Sequence, residues 1–530
     1  MRTVSDSLAP HAPPAPPDAP APDALPGEAV LAAILDDARA DAAAPFAAIA
    51  ARYFAEAGSG RGPVSTPLPP ETLAERFDEP LPRGGRPLAA VAARLAGEVV
   101  PDANRLVHPM SLGHQVAAPL PAAVWAEPII AALNQSVAVQ EMSPTGTAVE
   151  HRVVRWMADL AGFGAGAGGT FTSGGTEATF AALLAARSRA VPNVWTDGLG
   201  AVPPVVVCGE HAHYAVSRAA GEMGLGLRNV VTVPSRDPGA GDYRMDPAAL
   251  ARTLGDLGAS GRRVMAVVAT AGSTATGSFD DLDAAADACA ALDLWLHVDG
   301  AHGASALLSA AHRHRLRGVA RAHSLAWDPH KMLLVPLAAG VVLVRDERWL
   351  EGAFAQAAPY LFHAPGGPPR EEGAEEFDAG ESPGGPRGWD QGVRSFQCSR
   401  RLDALKLWVA LQRYGADGLG SVYDRLCALA ERLHARLAAH PAFEVLHAPE
   451  SNILCFRRTG RSFGGLAGAE LDAAQAALRA RYNASGAGWI TTTVLGGRRV
   501  LRVTVMNPRT TDAHLAALVD GLAEGRLPRL

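Results

Sequence analysis

From Gly169 onward, short and nearly continuous apolar runs alternate with longer stretches whose apolar residues recur at helical spacing. Gly169–Thr172 precedes Thr176–Arg189, Val205–Cys208 precedes Tyr214–Met223, and Val264–Thr270 precedes Leu282–Ala291; Trp295–Asp299 leads into a looser stretch. This alternation predicts an α/β fold with a mostly parallel central sheet flanked by helices. Apolar runs without polar interruption predict strands covered on both faces. Gly27 to about Tyr53 also has helical spacing, and Pro/Gly-rich stretches at 59–70 and 80–87 separate short helical pieces that read as arms. Beyond residue 400, helices are predicted over 401–414 and 420–439. A strand-like run at 452–456, a helix at 469–482, strands near 489–493 and 499–505 and a helix at 511–523 form a small α+β C-terminal domain.

These patterns give a domain plan. Residues 1–26, mostly Ala, Pro and Asp, are expected to be a disordered leader, followed by an N-terminal helical segment over 27–135. A large domain spans 136–415 and contains a Gly/Pro/Glu-rich mobile loop at 361–394. The small domain takes 416–530.

Composition narrows the function. Hydrophobic residues make up 48% of the 530, enough for a large core. The 48 basic residues against 54 acidic ones give a charge of −6, which argues against a nucleic-acid-binding surface. Five scattered cysteines with no C-x-x-C pair read as reduced thiols. No secretory h-region and no run long enough to cross a membrane is present, so the expectation is a cytoplasmic protein with no membrane partner.

Four segments carry chemistry. In GTFTSGGTEAT (169–179), a strand ends and a helix begins across two glycines; Ser173, Gly174, Gly175 and Thr176 could cradle a phosphate dianion, or simply cap a turn. Asp299, in WLHVDGAH, sits at the carboxyl end of an apolar strand, where α/β sheets bind ligands. Lys331, in SLAWDPHKM, is flanked by apolar sequence in a chain very poor in lysine; a desolvated lysine can condense with an aldehyde. His213, in EHAHYAVSRAA, could stack on a planar cofactor. His211 and His213 have no carboxylate or thiol partner at ligand spacing, so no metal site is expected.

Taken in order, these segments resemble the group II pyridoxal 5′-phosphate (PLP)-dependent amino-acid decarboxylases, whose members act on glutamate, cysteine sulfinate, diaminobutyrate and aromatic amino acids. The resemblance runs from HPMSLGHQ (108–115) through NQSVAVQEMSPTGTAVE (134–150), FTSGGTEATFAALLAAR (171–187), ATAGSTATGSFDDL (269–282), WLHVDGAHG (295–303), WDPHKM (327–332) and QCSRRLDALKLW (397–408) to LRVTVMNP (501–508). It implies the fold-type I architecture, a PLP cofactor, and a homodimer. Lys331 would carry the cofactor as a Schiff base, Asp299 would pair with the pyridine nitrogen, and His213 would stack on the ring. Thr270 would lie near the phenolic oxygen, with Ser173, Gly174, Gly175, Thr176 and His330 around the phosphate. Arg502 matches an arginine that meets a substrate carboxylate, with a strand salt bridge as the alternative; His114 falls on the substrate side.

The implied activity is decarboxylation of an L-amino acid to the amine and CO₂, and the runs around HRHRLRGVARAHSLAWDPHKM favour an acidic amino acid. Three departures stand out. Gly300 and His302 replace the usual Ala and aromatic residue after the strand aspartate. Asp328 stands where many relatives have Asn. The 361–394 loop has no tyrosine to protonate Cα, leaving Tyr360, His363 or another group for that task. An oxidative aldehyde synthase or a carbon–carbon lyase are therefore the alternatives.

Overall fold

The computed structural model describes residues 28–39, 41–66, 68–354 and 388–524. The loop expected at 361–394 thus lies outside the described residues up to 387, as do the 1–26 leader, Tyr360 and His363. The chain forms two compact units. One comprises the residues up to Ala55 together with Leu68–Ala103. It contains the short helices Glu28–Asp37, Pro70–Arg76 and Leu88–Arg94. Val30, Leu31, Ile34 and Leu35 on the first helix are exposed, and Ala92 is the unit's only buried apolar residue among those described, so the described residues of this unit form no core.

The other unit, Glu56–Pro67 with Asn104–Leu530, holds thirteen strands among the described residues. They are β1 (Gly168–Thr172), β2 (Val205–Gly209), β3 (Val230–Val233), β4 (Ser235–Asp237), β5 (Asp242–Met245), β6 (Val264–Thr270), β7 (Trp295–Asp299), β8 (Ser324–Trp327), β9 (Gly340–Val344), β10 (Phe443–Val445), β11 (Ile453–Arg458), β12 (Thr491–Leu495) and β13 (Arg498–Thr504). Seven form the main sheet in the order β1-β9-β8-β7-β6-β2-β3. Only β9 runs against its neighbours, so the sheet is mostly parallel. β4 and β5 make a small hairpin, and β10-β11-β13-β12 form an antiparallel C-terminal sheet.

Side-chain alternation explains why the strands read as unbroken apolar runs. In β2, Val205 and Val207 join one hydrophobic cluster while Val206 and Cys208 join another; β9 divides likewise, with Val341 and Leu343 on one face and Val342 and Val344 on the other. Both faces are therefore dry. Thr270, Asp299 and Asp328 continue the parity of Val268, Trp295 and Ala326, all in the cluster that also contains the helix Gly175–Ala190. Strand period and helix thus bring the polar strand ends and the helix N-terminus to the same side of the sheet.

The long helix Ala404–Ala438 is broken at Gly415, whose φ of 70° is left-handed. No described helix is long and apolar enough to cross a membrane.

Candidate active site

A cavity of about 360 Å³ opens where β1, β6, β7 and β8 end and β9 begins. All nine residues expected around the cofactor line it: Ser173, Gly174, Gly175 and Thr176 after β1, His213 after β2, Thr270 and Asp299 at the ends of β6 and β7, and His330 and Lys331 after β8. This is the carboxyl edge at which open α/β sheets bind ligands.

The helix Gly175–Ala190 starts without a side-chain cap, so its first N–H groups face the cavity unclaimed by a local acceptor. The approach there is close. A methyl group at Gly175 would lie 2.8 Å from the Ala301 Cβ and 3.0 Å from Asp328 Oδ2, and one at Gly340 would lie 2.5 Å from the Gly174 Cα. Ser173 differs from its neighbours, because its N–H and hydroxyl both donate to Glu177 Oε2, at 2.8 and 2.7 Å. Gln397 donates to the same oxygen at 2.6 Å. Ser173 is therefore engaged in shaping the turn, while the Thr176 hydroxyl has no such partner.

Asp299 is 7% exposed and Oδ1 accepts from the Ala301 N–H at 3.2 Å. It is register-paired with Thr270 and Ala326, so three adjacent strand ends converge on it. Beneath it, His297 Nδ1 meets Ser324 Oγ at 2.9 Å, and burial pulls this histidine down to about 4. His213 accepts from the Ala215 N–H through Nδ1 at 3.3 Å. Burial lowers its pKa, against the opposing charge of Asp299, so the ring is a neutral, polarisable face.

Lys331 Nζ lies 3.0 Å from Asp328 Oδ2, and His330 Nε2 is 3.5 Å from the same oxygen. His330 Nδ1 accepts from the Ala339 N–H at 3.1 Å, which aims Nε2 at the aspartate; burial lowers its pKa. Of the chain's 48 basic residues only two are lysines, Lys331 and Lys406. Lys406 is fully buried. It pairs with Asp403 at 2.8 Å and donates to the carbonyls of Ala338 and Pro336 at 2.6 and 3.3 Å, on either side of the cavity-lining Leu337. Sequence reading passed over Lys406; its rarity was the available signal.

Arg502 and His114 lie elsewhere. They line a neighbouring cavity of about 370 Å³ that shares His213 and Thr274 with the first. Arg502 is 6% exposed. Nε donates to the Ala275 carbonyl at 3.2 Å, Nη1 reaches Gly113 O and Thr491 Oγ1 at 3.5 Å, and Nη2 has no partner. It has no carboxylate partner among the described residues. Burial lowers its pKa. His114 is at the mouth, its pKa lowered by desolvation and then by the charges of Arg502 and Arg479.

The departures at Gly300 and His302 have structural counterparts. A methyl group at Gly300 would lie 2.8 Å from Leu325 Cδ1 and 3.0 Å from the Ala304 Cβ, so alanine would require Leu325 to shift. His302 Nε2 meets Asn452 Oδ1 at 2.7 Å, tying the main sheet to the C-terminal one, and burial pulls its pKa down to about 3.

The residues fit PLP. An uncapped helix N-terminus suits its phosphate, a strand-end carboxylate its pyridinium nitrogen, and a lysine its aldehyde. Thr270 Oγ1 and Asp328 Oδ1 are buried polar atoms with no partner, as expected of a cup shaped for a polar group. Fold and cavity together define a fold-type I PLP-dependent enzyme. The sequence profile of the pyridoxal-dependent decarboxylase conserved domain matches residues 70–459. The chain is 34% identical over 452 residues to the L-2,4-diaminobutyrate decarboxylase of Rhizobium meliloti (strain 1021), covering 84% of this chain and 83% of that one. It is 32% identical over 390 residues to an acidic amino acid decarboxylase of Bos taurus, covering 73% and 70%. The crystal structure of mouse CSAD in apo form superposes with a TM-score of 0.80 at 28% identity, covering 94% of this chain and 98% of that one. The chain belongs to the pyridoxal-dependent decarboxylase family and is a PLP-dependent carboxy-lyase acting on an amino acid.

Proposed function

We propose that this carboxy-lyase removes the α-carboxylate of an acidic L-amino acid, with Arg502 holding the substrate's second carboxylate. The observation that carries this reading is the buried Arg502 guanidinium, which has no anionic partner among the described residues and lies in the cavity next to Lys331's. A buried cation without a counter-ion is costly, and a substrate carboxylate would offset that cost. The carboxylate that leaves as neutral CO₂ is poorly served by such a clamp, because an ion pair there would stabilise the ground state more than the transition state. A side-chain carboxylate keeps its charge throughout and gains from the clamp at every step.

PLP, when bound, supplies an aldehyde for the amino group and a protonated ring that accepts the electrons released on loss of CO₂. Lys331 would hold and release the cofactor's aldehyde carbon. Asp299 would keep the pyridinium nitrogen protonated, and the His213 face would cover the ring and exclude water. Thr270 would hydrogen-bond the phenolic oxygen. Gly174, Gly175 and Thr176, with His330 and the neighbouring Ser173, would hold the phosphate. His114 would flank the substrate at the mouth.

A second reading, a diamino acid, has one observation in its favour: Glu210 lines the same outer cavity and offers an anion for a distal ammonium. A homodimer in the cytoplasm completes the proposal, with light scattering as the check on assembly. The deciding experiment is CO₂ release from a panel containing aspartate, glutamate, cysteine sulfinate, 2,4-diaminobutyrate and aromatic amino acids, with O₂ uptake followed in parallel. Acidic substrates are expected to turn over fastest without O₂ uptake. Preference for 2,4-diaminobutyrate would establish the second reading, and O₂ uptake matched by ammonia would establish the aldehyde synthase. In Lys331→Ala the visible imine band and turnover should both vanish; an unchanged spectrum would remove Lys331 from its role.

A further inference from the structure

We infer that Gln115 binds the substrate's α-carboxylate and sets the direction in which it leaves. This rests on the acidic amino-acid reading above, in which Arg502 holds the other carboxylate.

The segment that carries Gln115 is held against the C-terminal sheet. Trp489 donates its N–H to Met110 O at 3.0 Å, Leu112 donates to Trp489 O at 2.8 Å, and Thr504 donates to Leu112 O at 2.9 Å. Residues 110–112 thus run between Trp489 and the end of β13. Gly113 follows where the backbone passes closest, since a methyl group there would lie 2.4 Å from Trp489 Cδ1. Its carbonyl meets Arg502 Nη1 at 3.5 Å. The next two residues part: His114 lines the outer cavity and Gln115 the inner one. Gln115 therefore stands on the inner side of a short wall whose root touches Arg502. Its amide nitrogen, Nε2, is buried and has no partner among the described residues. A buried N–H left unpaired is costly, and a ligand acceptor would offset that cost.

The other groups of the inner cavity are unsuited to this anion or have other proposed tasks. Asp299 and Asp328 would repel it. Gly174, Gly175, Thr176 and His330 lie at the phosphate end, and Thr270 and His213 at the ring. Ser173 is engaged with Glu177. His302 presents the wrong atom. Asn452 Nδ2 donates to Val505 O at 2.8 Å, so Asn452 Oδ1 accepts, His302 Nε2 carries the ring proton, and Nδ1 is left as a lone pair without a partner. Burial keeps that ring neutral. Thr274 is exposed and lies on both cavities, where solvent serves its hydroxyl. Gln115 is the buried donor that remains.

A neutral donor suits this carboxylate better than a cation. A guanidinium would hold the charge that must vanish as CO₂ leaves, whereas an amide N–H orients the group through a weaker bond. Orientation decides which bond breaks. With the carboxylate held across the cofactor plane, the Cα–carboxylate bond breaks, CO₂ departs, and the electron pair left at Cα takes up one proton. Without Gln115 the group turns and the Cα–H bond can occupy that place. A proton then passes from Cα to solvent, the electron pair stays behind, and a solvent proton returns. The amino acid is recovered unchanged except for its hydrogen isotope, and no oxidant is needed.

Gln115→Leu, which removes the donor at similar volume, tests this with two readouts. The first is binding to the holoenzyme, by calorimetry, of two ligands matched in length to the preferred substrate: succinate and β-alanine for aspartate, or glutarate and 4-aminobutyrate for glutamate. The dicarboxylate fills both carboxylate positions and the amine only the distal one. Gln115→Leu should weaken the dicarboxylate by roughly 10-fold or more, as for a lost hydrogen bond to a charged group, and leave the amine unchanged. Arg502→Met should weaken both. The second readout is partial turnover in D₂O. In Gln115→Leu kcat should fall on the order of 10²-fold, as for a small misplacement of the reacting bond, and the recovered amino acid should carry deuterium at Cα, which wild-type substrate should not. Gln115→Glu, with the same shape and an added negative charge, should reject the dicarboxylate more strongly still while binding the amine, which separates the effect from misfolding. Wild-type dicarboxylate affinity without deuterium uptake in Gln115→Leu would overturn the inference, as would equal weakening of both ligands. If Arg502→Met weakened the dicarboxylate and spared the amine, Arg502 would belong to the α-carboxylate, and the acidic reading would fall together with this inference.

Discussion

In the inner cavity the ionisable groups are tied to one another: Lys331 and His330 share Asp328, and Asp299 takes a backbone N–H two residues on. In the outer cavity Arg502 donates to the Ala275 carbonyl at 3.2 Å, reaches Gly113 O and Thr491 Oγ1 only at 3.5 Å, and one of its nitrogens has no partner. The first arrangement is what a permanently held cofactor requires, with each group fixed before the ligand arrives. The second would suit a ligand that comes and goes, as proposed for the substrate. Burial alone does not separate the proposed cofactor residues from the proposed substrate residue, since Asp299 and Arg502 are almost equally enclosed. What separates them is how completely their partners are built into the chain.

Substitutions should divide along that line. The largest effect is expected for Asp299→Asn, which keeps the shape but removes the charge proposed to hold a proton on the ring nitrogen. A fall in kcat on the order of 10²–10³-fold, comparable to removing one preorganised electrostatic group, should accompany a shifted cofactor spectrum. A normal spectrum and normal kcat would erase the distinction between the cavities. Arg502→Met should leave the cofactor spectrum intact and act chiefly on KM for acidic substrates, by about 30-fold or more for a lost charge-assisted contact. Loss of PLP from this variant would move Arg502 to the cofactor side.

A smaller effect concerns acid stability and involves both regions. His297 and His302 support the inner cavity and His447 lies behind Cys455, the register partner of Arg502. Burial depresses them to about 4, 3 and 4 respectively. An unfolded histidine titrates near 6.5, so the unfolded chain takes up protons that the folded one refuses as pH falls below about 6.5. Stability fully present above that pH is therefore lost as pH drops towards 3–4, by on the order of a few kcal/mol per histidine at most. Asp280, raised to about 6 by burial, acts in the opposite sense and offsets part of the loss. Melting temperature should fall between pH 7.5 and pH 5; a flat profile would mean these histidines are hydrated.

Much of this was legible in the sequence. β6 and β7 and the helix Leu282–Ala291 match the predicted bounds, because buried parallel strands are written as unbroken apolar runs. The break predicted between 414 and 420 corresponds to Gly415. β3 and the β4–β5 hairpin escaped, since they are short, lie at or beyond the sheet edge and include polar residues. β9 escaped for another reason: Gly340–Val344 looks like any buried strand, and nothing local tells its antiparallel direction. Residues of the inner cavity lie at strand ends within motifs and could be found one by one. The assignment of Arg502 and His114 to a separate chamber depended on how the C-terminal sheet sits against the Thr274–Ala275 turn, a long-range relation that no local pattern encodes.

The scarcity of lysine has a practical side. Of the two in the chain, Lys406 is enclosed completely and Lys331 keeps 20% of its side chain accessible. Almost every other positive charge on this protein is a guanidinium, which does not condense with simple aldehydes or react with ordinary acylating reagents. Apart from the chain's α-amine, the accessible amine is the one in the cavity. Excess pyridoxal has no surface lysines on which to form stray adducts, so reductive trapping with borohydride should give close to one label per chain, and a titration read by absorbance should count working sites directly. Amine-directed tags, by the same token, will find the active site or the terminus and little else.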